Sequence, residues 1–156
     1  MNILYFGGQK SGKSNAASAK ALQIANDMPI YVATYDNSYD DPSMLERVEQ
    51  HVAYRQSDFI TLESPLDLTK DLVAGKTYLI DCLSMWIFNN LAQSESYLIN
   101  QLEQVLRINS DFIFVLNEVG GGIIPMDSQS RRFVDLTGII GQFVASQCDE
   151  VYRVSM

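Results

Sequence analysis

The stretch Asn2-Ile3-Leu4-Tyr5-Phe6-Gly7-Gly8-Gln9-Lys10-Ser11-Gly12-Lys13-Ser14 decides the fold. Its first half is a short apolar run with the look of a buried strand, and its second half satisfies G-x-x-x-x-G-K-[ST] in full. Each residue type has a physical job. The glycines let the backbone wrap so that successive N–H groups along Gly7, Gly8, Gln9, Lys10, Ser11 and Gly12 point inward at phosphate oxygens. Lys13 places a cation on the β- and γ-phosphates, Ser14 offers a hydroxyl to Mg²⁺, and the helix that follows adds its positive dipole end. Ala16, Ala17, Ala19, Ala21 and Leu22 form a strong helix-forming run behind the loop. A glycine-rich turn that binds nothing is the competing reading; the strand–loop–helix setting favours nucleotide phosphate.

Outward from this unit, short β-branched and aromatic runs alternate with longer amphipathic stretches. The pattern predicts strands near Asn2–Phe6, Ile30–Thr34, Phe59–Glu63, Thr77–Asp81, Phe112–Asn117 and Glu150–Val154. Most are continuously apolar, as strands covered on both faces by helices must be, so the expected class is α/β with a doubly wound, mostly parallel sheet. Asp41 and Pro42 open a helix running to Arg55, Pro65 opens a shorter one, and Asp127 or Ser128 caps a third. In that third helix Phe133, Leu136, Ile140, Phe143 and Val144 recur at roughly helical spacing and should face the sheet. No repeat, low-complexity segment or linker interrupts the 156 residues, which read as a single domain.

Composition narrows the function. The chain is 47% hydrophobic and 19% charged, with a net charge of −8 and no basic block longer than Arg131-Arg132. That argues against a nucleic-acid or anionic-membrane binder, whose affinity comes from clustered cations. Two distant cysteines, Cys82 and Cys148, supply neither a disulfide framework nor a paired C-x-x-C metal signature, and no apolar run is long enough to span a membrane, so a cytoplasmic protein is expected.

Two further residues carry chemistry. Asp81 ends the apolar run Tyr78-Leu79-Ile80, where a carboxylate can help hold the metal of a bound nucleotide; the bland alternative is a helix N-cap for the stretch beginning at Leu83. His51 is the only histidine, late in the Pro42–Arg55 helix. Alone it reads more readily as a surface or packing residue than as a catalyst.

Taken together, the motifs resemble the CobU-type bifunctional adenosylcobinamide kinases / adenosylcobinamide-phosphate guanylyltransferases. The resemblance is carried by GGQKSGKS, YVAT at the second strand, RVEQH with Arg55 four residues on, TLESPLDL, LIDCLSMWIFNNL, NEVGGGIIP and RRFVDLTG. It implies a RecA-like P-loop NTPase fold and two reactions. ATP or GTP phosphorylates the aminopropanol hydroxyl of adenosylcobinamide. GMP then passes from GTP, through a guanylylated histidine, to the cobinamide phosphate. The resemblance puts His51 in the place of that histidine, implies nucleotide contacts for Thr34, Arg55 and Glu63, and matches Asp81 to the acidic residue near the phosphate loop. It also implies Mg²⁺, a corrinoid substrate and a homo-oligomer. Glu118 with Gly120, Gly121 and Gly122 reads as a mobile loop near the site. The chain departs from the family pattern at Ser84, Val52, Val134, Ile139 and Gly141, several of them sites of a basic residue in relatives. Two rival readings follow: a kinase that has lost the transferase, or a regulatory nucleotide-binding module.

Overall fold

The structure, a computed structural model, describes residues 1–35, 58–119 and 127–155. The described residues form six strands and four helices: β1 Asn2–Gly7, α1 Lys13–Ile24, β2 Ile30–Ala33, β3 Ile60–Glu63, β4 Thr77–Asp81, α2 Leu83–Asn89, α3 Glu95–Leu106, β5 Asp111–Asn117, α4 Ser128–Gln147 and β6 Glu150–Val154. The strands make one all-parallel sheet in the order β3-β2-β4-β5-β1-β6.

The period of two along each strand builds two cores. Leu4, Val32, Tyr78, Ile80, Phe112, Phe114 and Leu116 face one side, where they meet α2, α3 and α4 through Trp86, Leu98, Leu102, Leu136, Ile140 and Val144. Ile3, Tyr5, Tyr31, Leu79, Ile113 and Val115 face the other, where α1 packs with Ala17 and Ala21. Both faces are apolar, and β4 is buried along its whole length. The edge strands differ: β3 and β6 are largely exposed, and each has a strand neighbour on one side only among the described residues. Continuous apolarity therefore marks the inner strands only.

The expected helix at Pro65 does not form. Residues 64–76 run through bends and turns, where side chains offer the backbone partners in place of a helical ladder. Asp67 Oδ1 accepts from Thr69 N at 2.9 Å, and the Leu66 carbonyl accepts from Trp86 Nε1, Asn90 Nδ2 and Gln101 Nε2 at 3.0, 3.3 and 3.5 Å. The motifs TLESPLDL and LIDCLSMWIFNNL thus brace one another. Asp127, rather than Ser128, is the cap of α4, its side chain accepting from Ser130 N at 2.8 Å. No helix among the described residues is long and apolar enough to cross a membrane.

Candidate active site

All six strands point the same way, so their carboxyl ends form one edge of the sheet, where open α/β sheets bind ligands. Register aligns Gly7 with Asn117 and Val154, and Ala33 with Glu63 and Asp81. At this edge lies a cleft of about 470 Å³ lined by the loop from Gln9 to Asn15 and by Tyr35, Asp81, Cys82, Met85 and Asn117.

The phosphate loop leaves β1 at Gly7, where a Cβ would come within 2.2 Å of the Val154 carbonyl oxygen, so only glycine fits. It enters α1 at Gly12, whose φ of 93° lies in the left-handed region. Lys13 is buried and its Nζ donates to the Gly8 carbonyl at 2.9 Å. Burial pulls the pKa of this ammonium down, while Cys82 and Asp81 push it back up. Ser11 Oγ is buried, has no hydrogen-bond partner among the described residues and belongs to the cleft wall, as a hydroxyl kept for a ligand oxygen would be.

Asp81 sits across the cleft floor. Its carboxylate accepts from Tyr31 OH at 2.9 Å and from Ser14 Oγ at 3.5 Å. It is not an N-cap: Cys82 caps α2, with Sγ accepting from Met85 N at 3.4 Å. The Asp81–Cys82 peptide is cis. Burial, reinforced by the Asp81 charge, pushes the Cys82 thiol up to about 12, so it stays protonated and weakly nucleophilic.

The remaining expected residues divide. Thr34 is fully buried, and its hydroxyl donates to Cys82 O at 2.8 Å and accepts from Cys82 N at 2.9 Å. It ties the end of β2 to the end of β4 instead of facing the cleft. Glu63 is exposed at the end of β3, on the same edge but outside the cleft lining. The Glu118 carboxylate pairs with Arg153 at 3.3 Å and its backbone N donates to Gly7 O at 2.7 Å. His51, Arg55, the Pro42–Arg55 helix and Gly120–Gly122 lie outside the described residues.

Sequence reasoning missed Tyr31, Tyr35, Met85 and Asn117. Asn117 N is fixed by Ser84 Oγ at 2.7 Å, so the serine that departs from the family pattern still supplies the hydroxyl. No motif announces these residues; only strand order brings them to the loop.

The family model described as cobinamide kinase / cobinamide phosphate guanyltransferase matches residues 3–156. The bifunctional adenosylcobalamin biosynthesis protein CobP of Pseudomonas aeruginosa is 33% identical over 160 residues, covering 97% of this chain and 91% of its own. The bifunctional adenosylcobalamin biosynthesis protein CobU of Salmonella typhimurium is 30% identical, covering 99% and 95% respectively. Among solved structures, the flagellar accessory protein FlaH of Methanocaldococcus jannaschii matches 97% of this chain and 70% of its own at 14% identity, with a TM-score of 0.46.

Proposed function

This chain belongs to the cobinamide kinase / cobinamide phosphate guanyltransferase family, and from that premise we propose that it performs both reactions on a corrinoid. It phosphorylates adenosylcobinamide from a nucleoside triphosphate, then transfers GMP from GTP to the product, in adenosylcobalamin biosynthesis. The observation that supports the reading best is the gathering of Lys13 and Ser14 with Asp81, 67 residues further along the chain, around one cleft at the carboxyl edge.

In the kinase step the loop amides and Lys13 hold the β- and γ-phosphates, which fixes the γ-phosphorus for attack by the substrate hydroxyl. Lys13 exchanges its bond to the Gly8 carbonyl for phosphate oxygens, a charge-assisted replacement. Ser14 Oγ and Asp81 Oδ1, 3.5 Å apart, are a hard-oxygen pair of the kind Mg²⁺ accepts beside phosphate and water, so these two would hold the ion, whose charge would offset that of the phosphates. Tyr31 keeps the Asp81 carboxylate turned toward the loop.

For the transferase step, a neutral nitrogen of His51 attacks the α-phosphorus of GTP. A P–N bond forms, the bond from α-phosphorus to the bridging oxygen breaks, and pyrophosphate leaves. An oxygen of the cobinamide phosphate then displaces the imidazole, regenerating His51. Lys13 and the loop stabilise charge on the departing phosphates.

Incubation with GTP labelled at the α-phosphate tests the second step. Denatured protein should carry an acid-labile, alkali-stable GMP adduct, and His51→Ala should abolish it. Persistence of the adduct in that variant would refute the role of His51. Separate assay of phosphorylation with cobinamide distinguishes loss of one activity from loss of both.

A further inference from the structure

A second, apolar groove of about 260 Å³ lies between α4 and the strands β1, β5 and β6, outside the machinery described so far. Leu4, Phe6, Leu116 and Val151 line it from the sheet. Thr137, Gly141 and Ala145, one helical turn apart, line it from α4, beside the stripe Leu136, Ile140 and Val144 that fills the core. It therefore accounts for part of the RRFVDLTG motif, Arg131–Gly138, which the phosphate chemistry leaves unused.

Three observations distinguish this groove from a packing defect. Thr137 is 4% exposed and its Oγ1 has no hydrogen-bond partner among the described residues, whereas a valine would fill the same space without stranding a hydroxyl. Gly138, at the exposed rim, is a helix-interior glycine that packing does not require: an added Cβ would meet nothing within 4 Å. Asn117 lines both this groove and the phosphate cleft, so the two meet at the carboxyl end of β5. The fold thus keeps an unsatisfied donor and a helix-weakening residue beside an apolar surface that shares Asn117 with the phosphate cleft.

Resting on the cobinamide reading above, we propose that this groove seats the acceptor. A corrin ring carries methyl groups and carboxamide arms around its rim, and a groove of this size takes one edge of so large a ligand rather than the whole. The methyl-bearing edge lies on Leu4, Phe6, Leu116 and Val151, one carboxamide bonds to Thr137 Oγ1, and the reacting arm runs past Asn117 into the phosphate cleft. Thr137 is a specificity-determining residue for the corrinoid and takes no part in nucleotide binding.

The test measures cobinamide binding by visible spectroscopy and KM for cobinamide in the kinase assay, for the wild type, Thr137→Val and Gly138→Leu. A fluorescent triphosphate reports nucleotide affinity, and sedimentation velocity reports assembly. Thr137→Val should weaken cobinamide about 3- to 10-fold, the loss of one neutral hydrogen bond, with nucleotide Kd unchanged and the urea midpoint equal or higher. Gly138→Leu, whose side chain would crowd the groove mouth, should weaken it at least as much. Wild-type cobinamide affinity in folded Thr137→Val and Gly138→Leu overturns the proposal, and should Gly138→Leu fail to fold, Thr137→Val alone decides. Altered assembly of Gly138→Leu at unchanged cobinamide affinity also overturns it, making the groove a contact between copies. If the wild type binds cobinamide but phosphorylates none, the proposed function fails while the binding arm still judges the groove.

Discussion

At the foot of the cleft, the Asp81 carboxylate is held by Tyr31 OH on one oxygen and Ser14 Oγ on the other. The tyrosine bond joins a fully buried phenol to a buried carboxylate, so Tyr31→Phe should cost about 1.5–3 kcal/mol in urea unfolding, the range for bonds to charged groups. It should also raise the Mg²⁺ concentration needed for half-maximal turnover, since the carboxylate loses its orientation. Cys82 gives a pH prediction. Its pKa is raised from 9.0 to about 12, chiefly by burial, so above pH 9 the unfolded chain gives up a proton that the native chain keeps. The stability tied to this thiol is complete below pH 9 and declines as pH rises toward 12. Cys148, raised to about 12 by burial and Asp149, adds a parallel decline. Urea midpoints between pH 9 and 11 should fall less steeply in Cys82→Ser than in the wild type; equal slopes would contradict the burial argument. At this scale the sequence was legible where chemistry forces a local pattern. Gly7 to Ser14 form the strand–loop–helix turn that their pattern predicts, and Asp81 ends β4 beside that loop, where its apolar run puts it. Tyr31, Cys82, Ser84 and Asn117 were illegible, since each gains its role from a residue at least 33 positions away. Thr34 was placed at the correct edge, yet its hydroxyl turns to the Cys82 backbone.

Elements were legible wherever burial imposed a period. All six strands fall where the apolar runs put them, Thr77–Asp81 and Glu150–Val154 residue for residue. Pro65 misled because it has the φ for a first helical turn, while the segment after it is governed by distant donors, Trp86, Asn90 and Gln101, that no local signal reveals. Those donors give Asn90→Ala a predicted cost of about 1–3 kcal/mol in urea unfolding, because Asn90 is 4% exposed and its amide serves both the Leu66 and Trp86 carbonyls. Within α4 the two glycines should separate cleanly. Gly138→Ala adds a Cβ into open space and should stabilise by up to about 1 kcal/mol through helix propensity. Gly141→Ala brings its Cβ to 2.9 Å from Leu116 Cδ2, so that leucine must turn aside and the propensity gain is offset. A thermal melt that stabilises both variants equally would show Leu116 yielding freely.

The whole molecule places β5 between β1 and β4, so the phosphate loop and Asp81 face one another across Asn117. Alternating strands and helices made a parallel sheet legible, but strand order was not, because the inner strands carry equally apolar faces and nothing along the chain says which will be neighbours. That order makes the cleft a joint product of strands distant in sequence, so nucleotide binding should stabilise the entire sheet rather than one loop. A ligand bound only by the native state adds RT ln(1 + [L]/Kd), about 2.7 kcal/mol at a hundredfold excess over Kd. Urea unfolding with Mg²⁺ and a non-hydrolysable GTP analogue at that excess should therefore gain about 2.7 kcal/mol in the wild type. Lys13→Ala, deprived of the cation beside the loop, should lose most of this gain and about 100-fold or more of its turnover. The contrast is diagnostic because, among the described residues, Lys13 bonds locally, to Gly8, so its removal leaves the sheet intact. A full nucleotide gain in the Lys13 variant would mean that the triphosphate is held elsewhere than in the cleft at the carboxyl edge.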